Sequence, residues 1–336
     1  MFKVENRWGH NNSIHIEWNI GKRCNLDCAY CPTEIHDNFS PHTDLDIMVS
    51  TIYKLETLEK PVRLSLTGGE PTVHPKIENI LERARARLQW VSVTTNGLRY
   101  PEWYIKQPVN QWVFSLHFDN EHNMRAVENI VRYSQLLDME GMSTLFQVNL
   151  MAHHEHMEDV KIAATLLDSH GIPYVCRRIR WTNTEDRDWF DDMRYEAKDL
   201  EWILSKTATV KANCVVDSKQ YIHANDIIKH KLNSFEGWSC NAGLESLMIN
   251  WDGEVHRATC RVGGTLGNIY NNTFKMPVDP TICTRKWCTC AADIPLTKVK
   301  DESNHNKCTS SGNIVDASSP RIASNLLTYS LKPDSK

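Results

Sequence analysis

Short strand-like runs alternate with amphipathic stretches from residue 13 to about residue 180, and this alternation constrains the fold more than any other feature. Each strand candidate is rich in β-branched and aromatic residues. The strand candidates are 13–21, 62–67, 90–96, 111–118, 144–151 and 173–180, and the helix candidates include 45–59, 76–88, 122–140 and 156–170. Strands joined by helices form parallel sheets with right-handed crossovers. Six such units predict an α/β fold with a full or partial TIM-like (β/α)6 barrel.

Polar and apolar residues alternate along the predicted strands, so each strand has one polar and one apolar face. In the first strand, Ile14 and Ile16 oppose His15 and Glu17. Parallel sheets buried on both faces normally read as continuous apolar runs. A polar lumen that holds a ligand explains the pattern, and an open sheet with one solvated face is the alternative. In the sixth strand we place Arg178 and Arg180 on the polar face and Val175 and Ile179 on the apolar face.

Three cysteines follow the first strand in a C-x3-C-x2-C spacing: Cys24, Cys28 and Cys31. Three thiolates on one loop can ligate three irons of a [4Fe–4S] cube, which leaves the fourth iron open for a substrate molecule. Zinc sites usually need a second cysteine pair or histidines at knuckle spacing, and none lies nearby. A disulfide framework would require an oxidising compartment. The spacing therefore favours an open iron–sulfur cluster.

The second strand ends in Gly68-Gly69-Glu70-Pro71. Glycines allow the backbone to approach a ligand closely and to reach positive φ. Active sites of barrels are built at the carboxyl ends of their strands, where this loop lies. A Gly-Gly pair alone also makes an ordinary turn, but its place one strand after the cysteine motif favours a site.

With these two motifs the chain resembles the radical SAM superfamily over residues 13 to about 205. The resemblance implies a partial barrel in which the open iron binds S-adenosylmethionine. Reductive cleavage would then give a 5′-deoxyadenosyl radical that abstracts a hydrogen atom from a substrate. The protein's part in such chemistry is to position the cofactors.

The resemblance also implies roles for residues of the barrel. Gly68 and Gly69 would contact the methionine moiety, and Glu70 beside Pro71 could orient their loop. Arg178 and Arg180 could hold a carboxylate, and His117 could act as an acid or base. Polar residues near the ends of strands could bind ribose or carboxylate groups; these are Asn96, Ser115, Gln147 and Asn149. A structural hydrogen bond inside the barrel is the alternative for each side chain.

A second cysteine group lies near the C-terminus, around a probable hairpin from Leu247 to Thr259 that turns at Asp252-Gly253. The group looks like a twitch module, the shortened relative of the SPASM domain, which implies one auxiliary [4Fe–4S] cluster. The interval from Gly253 to the next cysteine is longer than usual, so the ligand set stays open, and zinc is the alternative. The cysteines are Cys240, Cys260, Cys283, Cys288 and Cys290.

Length and composition bound the organisation of the chain. With 336 residues, 41% of them hydrophobic and 24% charged, the chain is ordinary for a globular protein. We divide it into an N-terminal extension (1–12), the barrel (13–205), the auxiliary module (206–298) and an irregular tail (299–336). The polar start lacks the apolar core of a signal peptide, and no apolar stretch reaches membrane-spanning length, so we expect a cytoplasmic protein.

The leading hypothesis is a radical SAM enzyme that performs hydrogen abstraction, with net oxidation if the auxiliary cluster accepts an electron. Small molecules, nucleotides, carbohydrates and peptides are candidate substrates, and flavodoxin or ferredoxin is the expected reductant. The net charge of −4 gives no electrostatic reason to expect sequence-independent nucleic-acid binding, although it leaves a local patch open. A non-catalytic iron–sulfur or zinc protein is the rival. The run His153-His154-Glu155-His156 suggests a metal site only weakly, and a loop leading into a helix is favoured.

Overall fold

The computed structural model describes residues 3–6, 12–179, 193–206, 214–216, 219–221 and 224–300. The strands are β1 (Lys3–Asn6), β2 (Ile14–Asn19), β3 (Val62–Thr67), β4 (Trp90–Thr95), β5 (Gln111–His117), β6 (Leu145–Ala152), β7 (Tyr174–Arg178), β8 (Cys214–Val216), β9 (Lys219–Tyr221), β10 (Ser239–Cys240), β11 (Ser246–Ile249), β12 (Glu254–His256), β13 (Thr265–Asn268), β14 (Thr281–Ile282) and β15 (Lys298–Val299). The α-helices are α1 (Leu45–Glu56), α2 (Ile77–Arg87), α3 (Pro101–Ile105), α4 (Asn123–Glu140), α5 (Met157–Ser169), α6 (Ala197–Ser205) and α7 (Ala224–Lys229). Short 3-10 turns cover Pro71–Val73 and His154–His156.

A nine-stranded sheet forms the main body, in the order β13-β12-β11-β2-β3-β4-β5-β6-β7. All six predicted strands are present as β2 to β7, and each pairs in parallel with its neighbour. The α/β fold with a mostly parallel sheet is therefore confirmed. Because every strand of this series runs the same way, the loops after β2, β3, β4, β5 and β6 meet at one edge.

The apolar faces of the strands pack against the helices, as the alternation predicts. Ile14, Ile16 and Trp18 of β2 are fully buried, and the intervening side chains of His15 and Glu17 are only partly buried on the other face. Aromatic rings fill the region between β5, α3 and α4: Tyr104, Trp112, Phe114 and Tyr133. The face opposite this core is the barrel lumen.

The long helices begin and end near the predicted bounds. Asp44 caps α1 by accepting a hydrogen bond from the Asp46 amide at 2.8 Å. Helix α4 ends at Gly141, whose φ of 61° stops the helix in the left-handed region. Three further helices, α3, α6 and α7, are absent from the sequence prediction, and each has nine residues or fewer.

In β7 the sequence-based assignment of the two faces is wrong. Arg178 lies beside Ala152 of β6, and Cys176 lies beside Leu150, both neighbours being fully buried on the helix side. Side chains alternate along a strand, so Arg177 faces the lumen instead. The error arose because Arg177 and Arg178 are equally polar, and polarity cannot distinguish their faces.

The predicted C-terminal hairpin is present, but it also extends the barrel sheet. Strands β11 and β12 are antiparallel around the turn at Gly253, and β11 pairs in parallel with β2. The hairpin region is fixed to the barrel by Trp18 Nε1, which donates to Tyr270 Oη at 3.2 Å, and by Lys54 Nζ, which donates to the Ile269 carbonyl at 2.6 Å.

A second sheet of six strands is antiparallel throughout, in the order β14-β10-β15-β1-β8-β9. It includes β1 from the predicted N-terminal extension and β15, which spans the predicted boundary between the auxiliary module and the tail. The division into four segments stays a prediction, and residues 301–336 lie outside the described part of the chain. Among the described helices, none has the length and apolar character that crossing a bilayer requires.

Candidate functional site

The first cysteine loop lies at the carboxyl edge of the sheet, directly after β2. The Cys24 amide donates to the Asp37 carbonyl at 2.8 Å, and the Cys31 amide donates to the Cys28 carbonyl at 3.0 Å. Lys22 Nζ forms an ion pair with the Asp37 carboxylate at 3.1 Å. These bonds fold the loop back on itself, so its three cysteines are held on one side.

The three cysteines share one apolar patch. Cys28 is 9% exposed, and Cys24 and Cys31 are half-buried. Burial raises the pKa of Cys24 to about 12 and of Cys31 to about 11, and it raises the pKa of Cys28 as well. Thiols in such surroundings lose their protons only when a cation replaces them. Three adjacent thiols in an apolar patch therefore fit an iron–sulfur cluster.

Gly68 and Gly69 pack directly against the backbone of the cysteine loop. The Gly69 amide donates to the Gly21 carbonyl at 2.8 Å. A Cβ on Gly69 would lie 2.2 Å from the Lys22 carbonyl oxygen, and one on Gly68 would lie 2.6 Å from the Gly21 oxygen. Gly68 also has a φ of 147°, which favours glycine. Close approach to the cysteine loop explains both glycines, and contact with the methionine moiety stays a prediction.

The Glu70 side chain links the end of β3 to the end of β4 and, through Asn96, to the loop after β2. Its buried carboxylate accepts hydrogen bonds from the Thr72 amide (2.9 Å), the Thr72 hydroxyl (2.6 Å), the Thr95 hydroxyl (2.8 Å) and the Asn96 amide (2.7 Å). Burial raises the pKa of Glu70, and these four bonds counteract that rise. The Asn96 side chain in turn donates to Asn25 Oδ1 in the cysteine loop at 2.8 Å. These bonds support an orienting role for Glu70, which stays a prediction; in the described residues Glu70 forms no salt bridge. Pro71 opens the 3-10 turn that follows.

Tyr30, between the second and third cysteines, contacts the end of β5. A hydrogen bond joins its hydroxyl and Nδ1 of His117, and the two rings stack with centroids 5.9 Å apart. Burial lowers the pKa of His117 to about 4, so its imidazole is neutral at pH 7. Asp119 accepts a hydrogen bond from the Ala29 amide at 2.9 Å. Sequence reasoning missed Asp119, because an aspartate after a strand usually makes a turn.

Further polar residues line the lumen below this edge. Ser115 of β5 lies in register with Asn149 of β6, and Gln147 Nε2 donates to Asn149 Oδ1 at 2.9 Å. The structure thus brings these three predicted residues together on one face. Their roles as cofactor ligands stay predictions, as does that of Arg178, which lies on the other face. Arg180 lies outside the described residues.

All five C-terminal cysteines line one cavity: Cys240, Cys260, Cys283, Cys288 and Cys290. Cys240, Cys283 and Cys288 are buried, and burial raises the pKa of Cys240, Cys260 and Cys288. The cysteines come from β10, from the loop after β12 and from the segment after β14. Their convergence across fifty residues of sequence fits a metal centre, and the donor set of sulfurs fits iron–sulfur or zinc.

Two charged residues support the wall of this cavity. The Asp293 carboxylate, which is 3% exposed, accepts a hydrogen bond from the Cys260 amide at 2.8 Å. Lys298 Nζ is buried and donates to the carbonyls of Asp293, Ile294 and Leu296 at 2.6, 3.0 and 3.1 Å. Neither residue carries a sequence signal, because their importance depends on burial.

The histidine run after β6 gives a weaker candidate. Ligand atoms of His153, Glu155 and His156 lie within 4.8 Å of one another. However, Nδ1 of His153 accepts a hydrogen bond from the Glu155 amide at 3.2 Å, and helix α5 begins directly afterwards at Met157. The run therefore forms the predicted loop leading into a helix, and we assign no metal to it.

Residues 18–139 match the family model of the Radical SAM superfamily. A 7-carboxy-7-deazaguanine synthase from Haemophilus influenzae is 36% identical over 77 residues, which are 23% of this chain and 34% of that protein. A GTP 3′,8-cyclase from Desulforamulus reducens is 26% identical over 141 residues, which are 38% of this chain and 41% of that protein. The matched segments span less than half of either relative.

Solved structures with a similar fold cover more of the chain. Native anSMEcpe with bound AdoMet aligns over 77% of this chain and 79% of its own, with 15% identity and a TM-score of 0.51. Streptococcus suis SuiB bound to its precursor peptide SuiA aligns over 78% and 63%, with 14% identity and a TM-score of 0.52. At these identities the likeness concerns the fold alone.

Proposed function

We propose, from the premise that residues 18–139 form a radical SAM superfamily domain, that this protein cleaves S-adenosylmethionine reductively and abstracts a hydrogen atom from a substrate. One observation carries the proposal: three thiols on one loop share an apolar patch, and the loop is anchored on Gly68 and Gly69. Cys24, Cys28 and Cys31 would hold a [4Fe–4S] cluster, which, with S-adenosylmethionine bound, supplies an electron and a 5′-deoxyadenosyl radical.

The chain's own residues would position and protect this chemistry. Leu26, Tyr30 and Ile179 cover the cysteines with apolar surface, which limits access of water. Glu70 and Asn96 fix the cysteine loop to β4, so the three sulfurs are held before any cluster binds. The hydrogen bond to Tyr30 would hold the neutral His117 ring beside the cysteine loop. The polar lumen face supplies hydrogen bonds for a polar substrate.

A second cluster is part of the proposal. The convergence of Cys240, Cys260, Cys283, Cys288 and Cys290 on one cavity supports an auxiliary [4Fe–4S] cluster in a twitch-like module. An auxiliary cluster with four protein ligands would favour electron transfer and a net oxidation of the substrate. A cluster with three protein ligands would have an open iron and would favour direct binding of the substrate. Zinc is the competing occupant, and metal analysis separates the two.

The substrate is proposed only by class. The GTP 3′,8-cyclase relatives are named for a nucleotide reaction, and SuiB was solved with a precursor peptide. A nucleotide, a peptide or another small molecule is consistent with the polar lumen. Low-potential electrons would come from a partner such as flavodoxin or ferredoxin.

The experiment that tests this function uses anaerobically reconstituted full-length protein, with S-adenosylmethionine and dithionite. We expect about eight irons per chain, the content of two cubane clusters, and reductant-dependent 5′-deoxyadenosine. Cys28→Ala should abolish that product. Cys176→Ala is the matched control, because Cys176 is a fully buried thiol on the helix side of β7 and is not among the described residues that line the C-terminal cavity. Zinc without iron, or equal product from Cys28→Ala and the wild type, would sink the proposal.

A further inference from the structure

Arg177 occupies the lumen between the two cysteine groups. In the register of the sheet it lies beside Met151, and the next residue on its face is Ile179. Both of these neighbours belong to the apolar patch around Cys24, Cys28 and Cys31. On its other side, the Arg177 guanidinium is close enough to Cys290, in the wall of the C-terminal cavity, to interact with it electrostatically.

In the part of the chain that the structure describes, the Arg177 side chain has no partner of opposite charge. Within the described residues it makes no hydrogen bond and no ion pair, and no carboxylate acts on it. Burial lowers its pKa to about 10, although the nearby Cys290 and Cys176 counteract the shift. Arg177 is only partly exposed, and a guanidinium that loses water without gaining a partner is costly. Its five donors therefore face the lumen ready for an anion.

We propose that Arg177 binds an oxyanion group of the substrate, a carboxylate or a phosphate, and thereby places the substrate between the two cysteine groups. The inference rests on the proposed function, because it assigns the lumen to the substrate. A planar guanidinium matches a carboxylate or phosphate with two parallel hydrogen bonds. Binding at this position sets the distance of the rest of the molecule from both groups.

Two other roles for Arg177 make different predictions. If it held the carboxylate of S-adenosylmethionine, its loss would raise the concentration of that compound needed for 5′-deoxyadenosine formation. If it only balanced charge at Cys290, its loss would change the iron content or the spectrum of the auxiliary cluster. If Arg177 binds a substrate anion, its loss should change neither the S-adenosylmethionine requirement nor the iron content and spectrum of the auxiliary cluster.

The test measures binding of pyrophosphate and of malonate to reconstituted full-length protein by anaerobic calorimetry, with S-adenosylmethionine present. We expect one site per chain for at least one of these probes. Arg177→Gln should weaken that site about tenfold to a hundredfold, the range for a charged hydrogen-bonding pair. Arg177→Lys should bind the probe more tightly than Arg177→Gln but less tightly than the wild type, because lysine keeps the positive charge but cannot make the two parallel hydrogen bonds of a guanidinium.

Arg63→Gln is the matched control. Arg63 also faces the lumen, but its guanidinium stacks on the Trp90 ring at 4.4 Å, so we expect unchanged probe binding. Substrate-free 5′-deoxyadenosine formation and iron content should be equal in the wild type and Arg177→Gln. Absence of a probe site, its survival in Arg177→Gln, or a change in the S-adenosylmethionine requirement would overturn the inference. If the wild type bound the probe but did not cleave S-adenosylmethionine, that result would refute the proposed function and leave the anion site standing.

Discussion

Replacing Gly69 by alanine should separate the glycine loop from the cysteine loop. The new Cβ would lie 2.2 Å from the Lys22 carbonyl oxygen and 2.3 Å from that of Arg23, both of them backbone atoms. The clash can be relieved only by moving one loop, which breaks the hydrogen bonds from the Gly69 amide to Gly21 (2.8 Å) and from the Glu70 amide to Arg23 (2.9 Å).

The size of the effect follows from these contacts. Inserting a methyl group into a packed site costs about 1–3 kcal/mol. Each lost backbone hydrogen bond adds about 0.5–1.5 kcal/mol. We therefore expect Gly69→Ala to lose about 2–6 kcal/mol of unfolding free energy, which for a chain of this length corresponds to a melting temperature about 3–8 °C below that of the wild type.

Gly21→Ala is the matched control in the same pair of loops. A Cβ at Gly21 would have no atom within 4 Å, so we expect a change within about 0.5 kcal/mol. Calorimetric melting and iron content of both variants, prepared anaerobically, provide the comparison. If Gly69→Ala melted and bound iron like Gly21→Ala, close packing would not explain the glycines, and the reasoning would be refuted.

Three further substitutions test other parts of the account. Glu70→Ala removes the acceptor of four hydrogen bonds and leaves the buried Asn96 amide unpaired, so melting should show a loss of about 2–5 kcal/mol; an unchanged melting temperature would contradict the anchoring role. Lys298→Met leaves three buried carbonyls without their donor, so we expect a similar loss of unfolding free energy and a lower iron content at the C-terminal cavity. Full iron content would contradict the role of Lys298 in supporting the cavity wall. Burial, reinforced by Asp293, raises the pKa of Glu17 from 4.5 to about 7. The folded state holds this proton more tightly, so stability is full below pH 4.5 and falls as the pH rises through 7. Glu17→Gln should remove that decline and be about 2–3 kcal/mol more stable than the wild type at pH 8, measured by denaturant titration; parallel pH profiles of the two proteins would contradict it.

The sequence predicts the barrel strands well because their alternation is local and strong. Each of β2 and β3 places apolar and polar side chains on opposite faces with a period of two. Strand β7 breaks the pattern, since Arg177 and Arg178 are adjacent and only the register with β6 distinguishes them. Pairing of β11 with β2 joins segments more than two hundred residues apart, and no local pattern encodes it.

Only part of the candidate site could be predicted from the sequence. The three cysteines and the two glycines stand out by spacing, so the sequence locates them. Burial and non-local contacts decide the importance of Arg177 and Lys298, which only the fold reveals. The same limit applies to the substrate, because lumen shape depends on contacts between distant strands.

The central claim is that Cys24, Cys28 and Cys31 hold a cluster that binds S-adenosylmethionine. Electron–nuclear double resonance of the dithionite-reduced protein, with S-adenosylmethionine labelled with ¹⁵N at its amino group, tests it most directly. We predict a ¹⁵N coupling to the cluster in the wild type and in Cys288→Ala, and none in Cys28→Ala. A coupling that survived in Cys28→Ala, or that disappeared in Cys288→Ala alone, would contradict the account.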